Sequence, residues 1–188
     1  GSSAGGNWRL GIVNSGSVTG KLLNWSLTIT PASAVSTSSS TTKTTTTSSA
    51  KTYTNSTSTT IASKGLTMSW LAVKGSAAIG SIQVRANATF PDDSDLYLYL
   101  ISPTGKTIAL DYNRGGTGAN LTDTVFSESA STSIAKGKAP FEGSFLPEAS
   151  LSQLNGSSAG GNWRLGIVNS GSVTGKLLNW SLTITPAA

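Results

Sequence analysis

The chain of 188 residues contains no cysteine and no histidine. Without cysteine there are no disulfide bonds and no thiolate metal sites, a composition that fits a bacterial secreted protein as well as a cytosolic one. Without histidine the chain lacks the usual general base, the Ser-His-Asp catalytic relay and the ligand of nearly all zinc and iron sites. The composition therefore predicts a protein that is not an enzyme.

Charged residues are also scarce, at 11% of the chain against about 25% in typical soluble domains. The formal net charge is +5, but the 13 lysines and arginines are scattered without a basic stripe, so nucleic-acid binding is not expected. No run of about 18 apolar residues occurs, and no membrane span is predicted. All eight acidic residues lie between Asp92 and Glu148. A cation site is therefore expected only within residues 92–148.

The chain repeats itself. Residues 156–187 copy residues 1–32, GSSAGGNWRLGIVNSGSVTGKLLNWSLTITPA, at an offset of 155 positions (156 − 1). A repeat this long indicates a tandem array. We predict that residues 1–32 are the two closing strands of a preceding repeat, 33–60 a Ser/Thr-rich linker and 61–188 one complete domain. Two strands alone are marginally stable, so residues 1–32 are expected to fray, pair with another sheet or swap into another copy.

The linker prediction rests on composition, since residues 33–60 lack the apolar side chains that would offset the entropy of ordering. An O-glycosylated stalk or a spacer at a cell surface is the alternative interpretation. No signal peptide is visible, as expected if the chain is part of a longer protein.

From residue 61 onward, short alternating segments are separated by turns rich in glycine and proline, and no window shows a sustained helical period. This pattern predicts an all-β protein, an antiparallel β-sandwich of jelly-roll type. In the segment from Asp95 to Leu100, strict alternation places the leucines on one face and Tyr97 and Tyr99 on the other. The predicted strands cover 66–73, 79–90, 95–100, 106–110 and 121–126, with an extended segment at 139–145, at most one helical turn at 151–154 and two closing strands.

Five motifs in this region, in order, resemble the P domains of proprotein convertases. They are DL-x-L-x-L-x-SP-x-G at 95–105, RGG-x-G-x-N at 114–120, APF-x-G-x-F-x-PE at 139–148, G-x-W-x-L at 161–165 and G-x-L-x-x-W-x-L at 175–182. The resemblance covers residues 61–186. It implies a jelly-roll sandwich that sits beside or after a subtilisin-like serine protease domain, stabilises that protease and is not itself catalytic.

The sequence departs from the family pattern at three places. Thr89-Phe90 replaces a common His-Thr pair, Ser127-Glu128 replaces a double-acidic pair, and Asn169 and Val173 stand at positions that are often acidic. Each departure that removes an acidic residue weakens a family-type calcium site at that edge.

The segment Pro91–Asp95 is nevertheless the densest acidic cluster, and calcium binds several carboxylate and carbonyl oxygens placed close together. We predict a candidate calcium site from this cluster, joined across the edge of the sandwich by two further carboxylates. Its residues are Asp92, Asp93, Asp95, Asp123 and Glu128. The alternative is a solvated turn in which the aspartates accept hydrogen bonds from turn amides.

Two catalytic or ligand-binding alternatives are weaker. Asp123 and Glu128 could be the two carboxylates of a glycosidase, which lie on either side of a sugar-binding cleft. The sequence shows no sign of an aromatic-lined groove, so this interpretation is weak. The glycine-rich loop 114–118 lacks the GK[ST] sequence and the strand-loop-helix context of a phosphate cradle.

Other residues are candidates for partner contact or for the core. Arg114 is expected to pair with a carboxylate of a partner, which in the resembled family lies on the protease. Tyr97 and Tyr99 are either exposed or packed on an adjoining domain. Trp163 and Trp180, expected on neighbouring final strands, are predicted core residues, with a ligand-stacking platform as the alternative.

These observations predict a non-catalytic P domain, secreted or at a cell surface, that stabilises or docks onto a subtilisin-like serine protease domain in the same chain. The alternative is a tandem binding or spacer repeat of a large extracellular protein without a protease, whose partners are the neighbouring repeats.

Overall fold

The computed structural model describes residues 49–188, so residues 1–32 and most of the predicted linker lie outside the described part. The described residues form ten strands and three single-turn 3-10 helices. None of these helices has the length and apolar character that a membrane-spanning helix needs. The strands are β1 (Lys51–Asn55), β2 (Thr59–Ile61), β3 (Gly65–Val73), β4 (Ile79–Thr89), β5 (Leu96–Ile101), β6 (Thr107–Tyr112), β7 (Leu121–Phe126), β8 (Ser144–Phe145), β9 (Gly161–Asn169) and β10 (Gly175–Pro186). The 3-10 helices are Asp93–Asp95, Ile134–Lys136 and Leu151–Leu154.

The strands make two sheets. The six-stranded sheet has the order β1-β10-β4-β7-β8, with β2 also paired to β10, and the four-stranded sheet has the order β3-β9-β5-β6. The strand pairs are antiparallel except β7 and β8, which pair in parallel. The all-β prediction is confirmed, and the antiparallel prediction is wrong for that one pair. The jelly-roll connectivity stays a prediction.

Alternation along the strands builds one core from both sheets. Leu96, Leu98 and Leu100 are buried, as the alternation predicts. Trp163 and Trp180 are also fully buried, which confirms them as core residues. Their strands are not neighbours, however, because β9 pairs in the four-stranded sheet and β10 in the six-stranded one.

The prediction that residues 51–60 belong to a linker is wrong. They form β1 and most of β2, and both strands pair with β10, for example Tyr53 with Leu182 and Ile61 with Gly175. Ile61 is fully buried in the core. These residues have little apolar surface of their own, so the ladder of β10 provides the partner that holds them as strands. The domain therefore begins before residue 61.

Two short predicted segments precede β9. The segment 139–145 contains only the two-residue strand β8, while residues 151–154 form the expected single helical turn.

Candidate functional site

The acidic turn after β4 is ordered by its own side chains. Asp92 is the N-cap of the helix Asp93–Asp95, and its Oδ1 accepts hydrogen bonds from the amide and the hydroxyl of Ser94 at 3.2 and 2.7 Å. The carbonyl of Asp95 accepts from the amide of Ser170 at 2.9 Å. The turn-capping interpretation is therefore confirmed for Asp92.

Asp93 points inward from this turn and is fully buried. Its Oδ1 accepts a hydrogen bond from the amide of Asn120 at 3.1 Å, but its Oδ2 has no partner. Gly115 packs against it closely, because a Cβ placed on that glycine would lie 3.0 Å from the Asp93 Cβ. One carboxylate oxygen is thus enclosed by protein without a hydrogen bond.

Asp111, at the end of β6, is a second buried carboxylate. The register between β5 and β6 shifts between the pairs Leu98–Asp111 and Tyr99–Ala109, so Leu110 is an extra residue in β6. Such a bulge rotates the residues beyond it to the opposite face. Both Leu110 and Asp111 are consequently fully buried, and neither carboxylate oxygen of Asp111 has a hydrogen-bond partner.

Burial raises the pKa values of both carboxyls. Burial raises the pKa of Asp93 to about 7, and the amide of Asn120 partly offsets this. Burial likewise raises the pKa of Asp111 to about 7, and the charges of Asp93 and Glu148 add to the increase. The Arg114 amide lies close enough to lower the Asp111 pKa, but outside hydrogen-bonding geometry. The amides of Asp93 and Ser94 donate to the carbonyls of Gly118 and Gly116 at 2.8 and 3.2 Å, so the acidic turn packs on the loop that follows Asp111.

Arg114 provides the nearby positive charge, but it is already paired. Its Nε donates to Oε1 of Glu148 at 2.6 Å, between the loop after β6 and the segment before the helix Leu151–Leu154. Arg114 therefore has a carboxylate partner within its own chain, whereas its predicted contact with a partner protein stays a prediction.

The other predicted metal ligands lie elsewhere. Asp123 pairs with Arg85 at 2.5 Å, and Glu128 accepts a hydrogen bond from the amide of Leu151 at 2.6 Å. Among residues 49–188, no three acidic side chains come together as ligands of one ion. The predicted five-residue site does not form as a unit, since Asp92, Asp123 and Glu128 each bind a different partner of their own.

The second notable surface is the outward side of the four-stranded sheet, which we name the aromatic face. Trp70 and Tyr112 are 56% and 58% exposed, and Leu66 is 53% exposed. The ring of Tyr97 lies 5.0 Å from that of Tyr112 and 5.2 Å from that of Tyr99. Three registered rows cross the sheet, namely Trp70–Arg164–Ile101–Thr107, Met68–Gly166–Tyr99–Ala109 and Leu66–Val168–Tyr97–Tyr112.

Close contacts hold this face in order. The Tyr99 ring covers Gly166 of β9 so closely that a Cβ on that glycine would overlap it. The Arg164 guanidinium lies 5.1 Å from the centre of the Trp70 ring, a cation–π contact. The predicted exposure of Tyr97 and Tyr99 is partial, since both are half-buried by these neighbours.

The residues that sequence reasoning missed are Asp111 and the outer residues of β3 and β6. A lone acidic residue in the apolar run Thr107–Tyr112 was the available signal for Asp111. Its inward direction depends on the bulge, which alternation does not reveal.

Comparison with known proteins gives one family. Residues 79–184 match the family model described as the proprotein convertase P-domain. A serine protease of Aeromonas sobria is 17% identical, with a TM-score of 0.42, over 73% of this chain and 27% of that one. The complex of Aeromonas sobria serine protease with the chaperone ORF2 gives 18% identity, a TM-score of 0.42, and 73% and 28% coverage. The chain thus spans little more than a quarter of those proteins. No curated protein matches it in sequence.

Proposed function

This chain belongs to the proprotein convertase P-domain family, and from that membership we propose that it is an extracellular, non-catalytic domain that docks onto and stabilises a subtilisin-like serine protease domain. The observation that carries the docking role is the aromatic face. Exposed aromatic and aliphatic side chains in one continuous patch are typical of surfaces that bind another protein.

The composition of the face defines the partner surface. Among the outward residues of its four strands, Arg164 carries the only formal charge, and it lies over Trp70. Tryptophan, tyrosine and arginine dominate the binding energy of protein interfaces. A matching partner would offer an apolar area with an acidic group opposite Arg164.

The rigidity of the face supports docking as a preformed surface. Tyr97 and Tyr99 contact each other, and Tyr99 also packs on Gly166, so their rings are ordered before a partner arrives. Ordering side chains in advance lowers the entropic cost of association.

A matched pair of substitutions tests the proposal. Leu66 on the aromatic face and Val173 in the loop before β10 are 53% and 52% exposed. We expect Leu66→Ser to weaken binding to the subtilisin-like domain encoded in the same gene by about tenfold, whereas Val173→Ser leaves the affinity unchanged. Binding is measured by titration calorimetry with the two domains as separate chains. Equal affinities of the two variants would show that the face is not the docking surface.

The identical segments 1–32 and 156–187 favour a second candidate function, a tandem binding or spacer repeat without a protease. A protease requires one such domain, and several identical copies favour an extended array. The coding sequence on either side of the chain distinguishes the two candidates. A subtilisin-like domain supports the accessory role, and further 155-residue units without a protease support the array.

A further inference from the structure

Asp93 and Asp111 are buried carboxyls whose negative charges have no matching positive charge nearby. Each side chain is fully buried, and together they place three carboxylate oxygens in the interior without a hydrogen-bond partner. A buried carboxylate normally has a cation, a metal ion or several donors around it, because removing it from water is costly. Neither aspartate has such a set within the described part of the chain.

The nearby ion pair does not supply the missing charge. Asp93, Asp111 and Glu148 carry three negative charges, and Arg114 carries one positive charge that Glu148 already binds. When the aspartates are ionised, two negative charges therefore remain uncompensated. A divalent cation has the charge that this arrangement lacks.

We propose that Asp93 and Asp111 bind one calcium ion. Main-chain carbonyl groups of the surrounding loops would supply the remaining oxygen ligands. Calcium takes six to eight oxygen ligands in flexible geometry, whereas magnesium requires near-octahedral ligands and keeps much of its water. Oxygens that are sealed from solvent therefore favour calcium over magnesium.

The bulge in β6 turns the Asp111 side chain toward the proposed site. In a regular strand, strict alternation after the inward-facing Leu110 would direct Asp111 outward, away from the turn that carries Asp93, and the bulge prevents this. The site thus joins the end of β6 to the acidic turn after β4. Calcium bound there would fasten two loops at one end of the sandwich.

A melting experiment on the full 188-residue chain tests this assignment. Metal is removed with EDTA and dialysis, and the melting temperature is then measured with millimolar calcium, with magnesium and without metal. We expect calcium to raise the melting temperature by about 5–10 °C, the shift for a ligand present at about a hundred times its dissociation constant. Magnesium should give a smaller increase. Titration calorimetry should show one ion bound per chain, and the absence of any calcium effect would overturn the proposal.

Three conservative substitutions locate the site. Asp93→Asn and Asp111→Asn should each abolish the calcium response, whereas Asp123→Asn, which removes an equal charge beside Arg85, should keep it. Without metal, Asp111→Asn should be at least as stable as the unchanged chain, because it removes a buried charge that has no partner. That comparison also shows that the variant folds. A full calcium response in Asp111→Asn would overturn the assignment and favour a protonated pair.

Discussion

The indole Nε1 of Trp180 donates a hydrogen bond to the hydroxyl of Ser69 at 2.9 Å, across the interior of the sandwich. Trp180 belongs to β10 and Ser69 to β3, so this bond joins the two sheets. Asn55 of β1 approaches the same hydroxyl, with its Nδ2 at 3.1 Å, and also donates to the Trp70 carbonyl at 2.7 Å. One buried hydroxyl therefore connects three strands.

Removing that hydroxyl should destabilise the domain. In Ser69→Ala the buried indole N–H of Trp180 loses its partner, which costs about 1–3 kcal/mol. Urea unfolding should show this decrease in the free energy of unfolding. Ser81→Ala, at an exposed position of β4, is the control and should stay within about 0.5 kcal/mol of the original value. Equal stabilities of the two variants would show that the bond contributes nothing.

The corrected domain boundary leads to a second prediction. A chain of residues 49–188 contains every strand and core residue of the described domain and should melt cooperatively. A chain of residues 62–188 lacks β1, β2 and the buried Ile61, and it exposes one edge of β10. We expect it to melt at a lower temperature and to aggregate through that edge. Identical calorimetric melts would restore the boundary at residue 61.

The local pattern was sufficient to predict much of the fold. In β5, the alternation of leucine and tyrosine gives the buried and outward faces directly, because the side-chain period of a strand is two. The region Lys51–Ile61 has no such pattern, and its threonines and serines resemble a linker. It forms strands because β10 lies beside it, which is a non-local contact that composition does not contain.

In the candidate site, too, the local pattern was predictable and the non-local contacts were not. The acidic turn was visible from the spacing of Asp92, Asp93 and Asp95, but sequence could not show that only Asp93 points inward. Asp111 could not be paired with Asp93 because the bulge depends on the register between β5 and β6. A shift of one residue reverses the face of every side chain beyond it.

A third prediction concerns Gly160, just before β9. A Cβ at this position would overlap the carbonyl oxygen of Gly75, and main-chain atoms cannot rotate away as a side chain can. We expect Gly160→Ala to destabilise the domain by about 1–3 kcal/mol, as overpacking does. At Gly65 the nearest atom to an added Cβ is 3.5 Å away. Gly65→Ala should therefore be neutral or slightly stabilising in the same thermal melts, and equal losses in both variants would contradict the steric explanation.

The buried aspartates give a fourth prediction, for the metal-free protein. The pKa values of Asp93 and Asp111 rise from 3.8 to about 7 on folding, mainly because burial disfavours the charged carboxylate. Asp92 adds to the increase at Asp93, Glu148 adds to that at Asp111, and Arg114 opposes it there. Between these pKa values the folded state binds more protons than the unfolded state. The free energy of unfolding should therefore fall as the pH rises through this window.

Chemical denaturation of the metal-free chain at several pH values measures this dependence. Each carboxyl contributes at most about 1.4 kcal/mol per pH unit within the window, so the protein should be clearly more stable at about pH 5 than at about pH 8. Asp111→Asn should flatten the profile because it removes one titrating group, whereas Asp123→Asn, beside Arg85 on the outside of the sandwich, should leave the slope unchanged. A stability that rises from acid to neutral pH would mean that the two aspartates remain ionised in the fold. Their charge would then have to be balanced by groups other than Arg114, which Glu148 already binds.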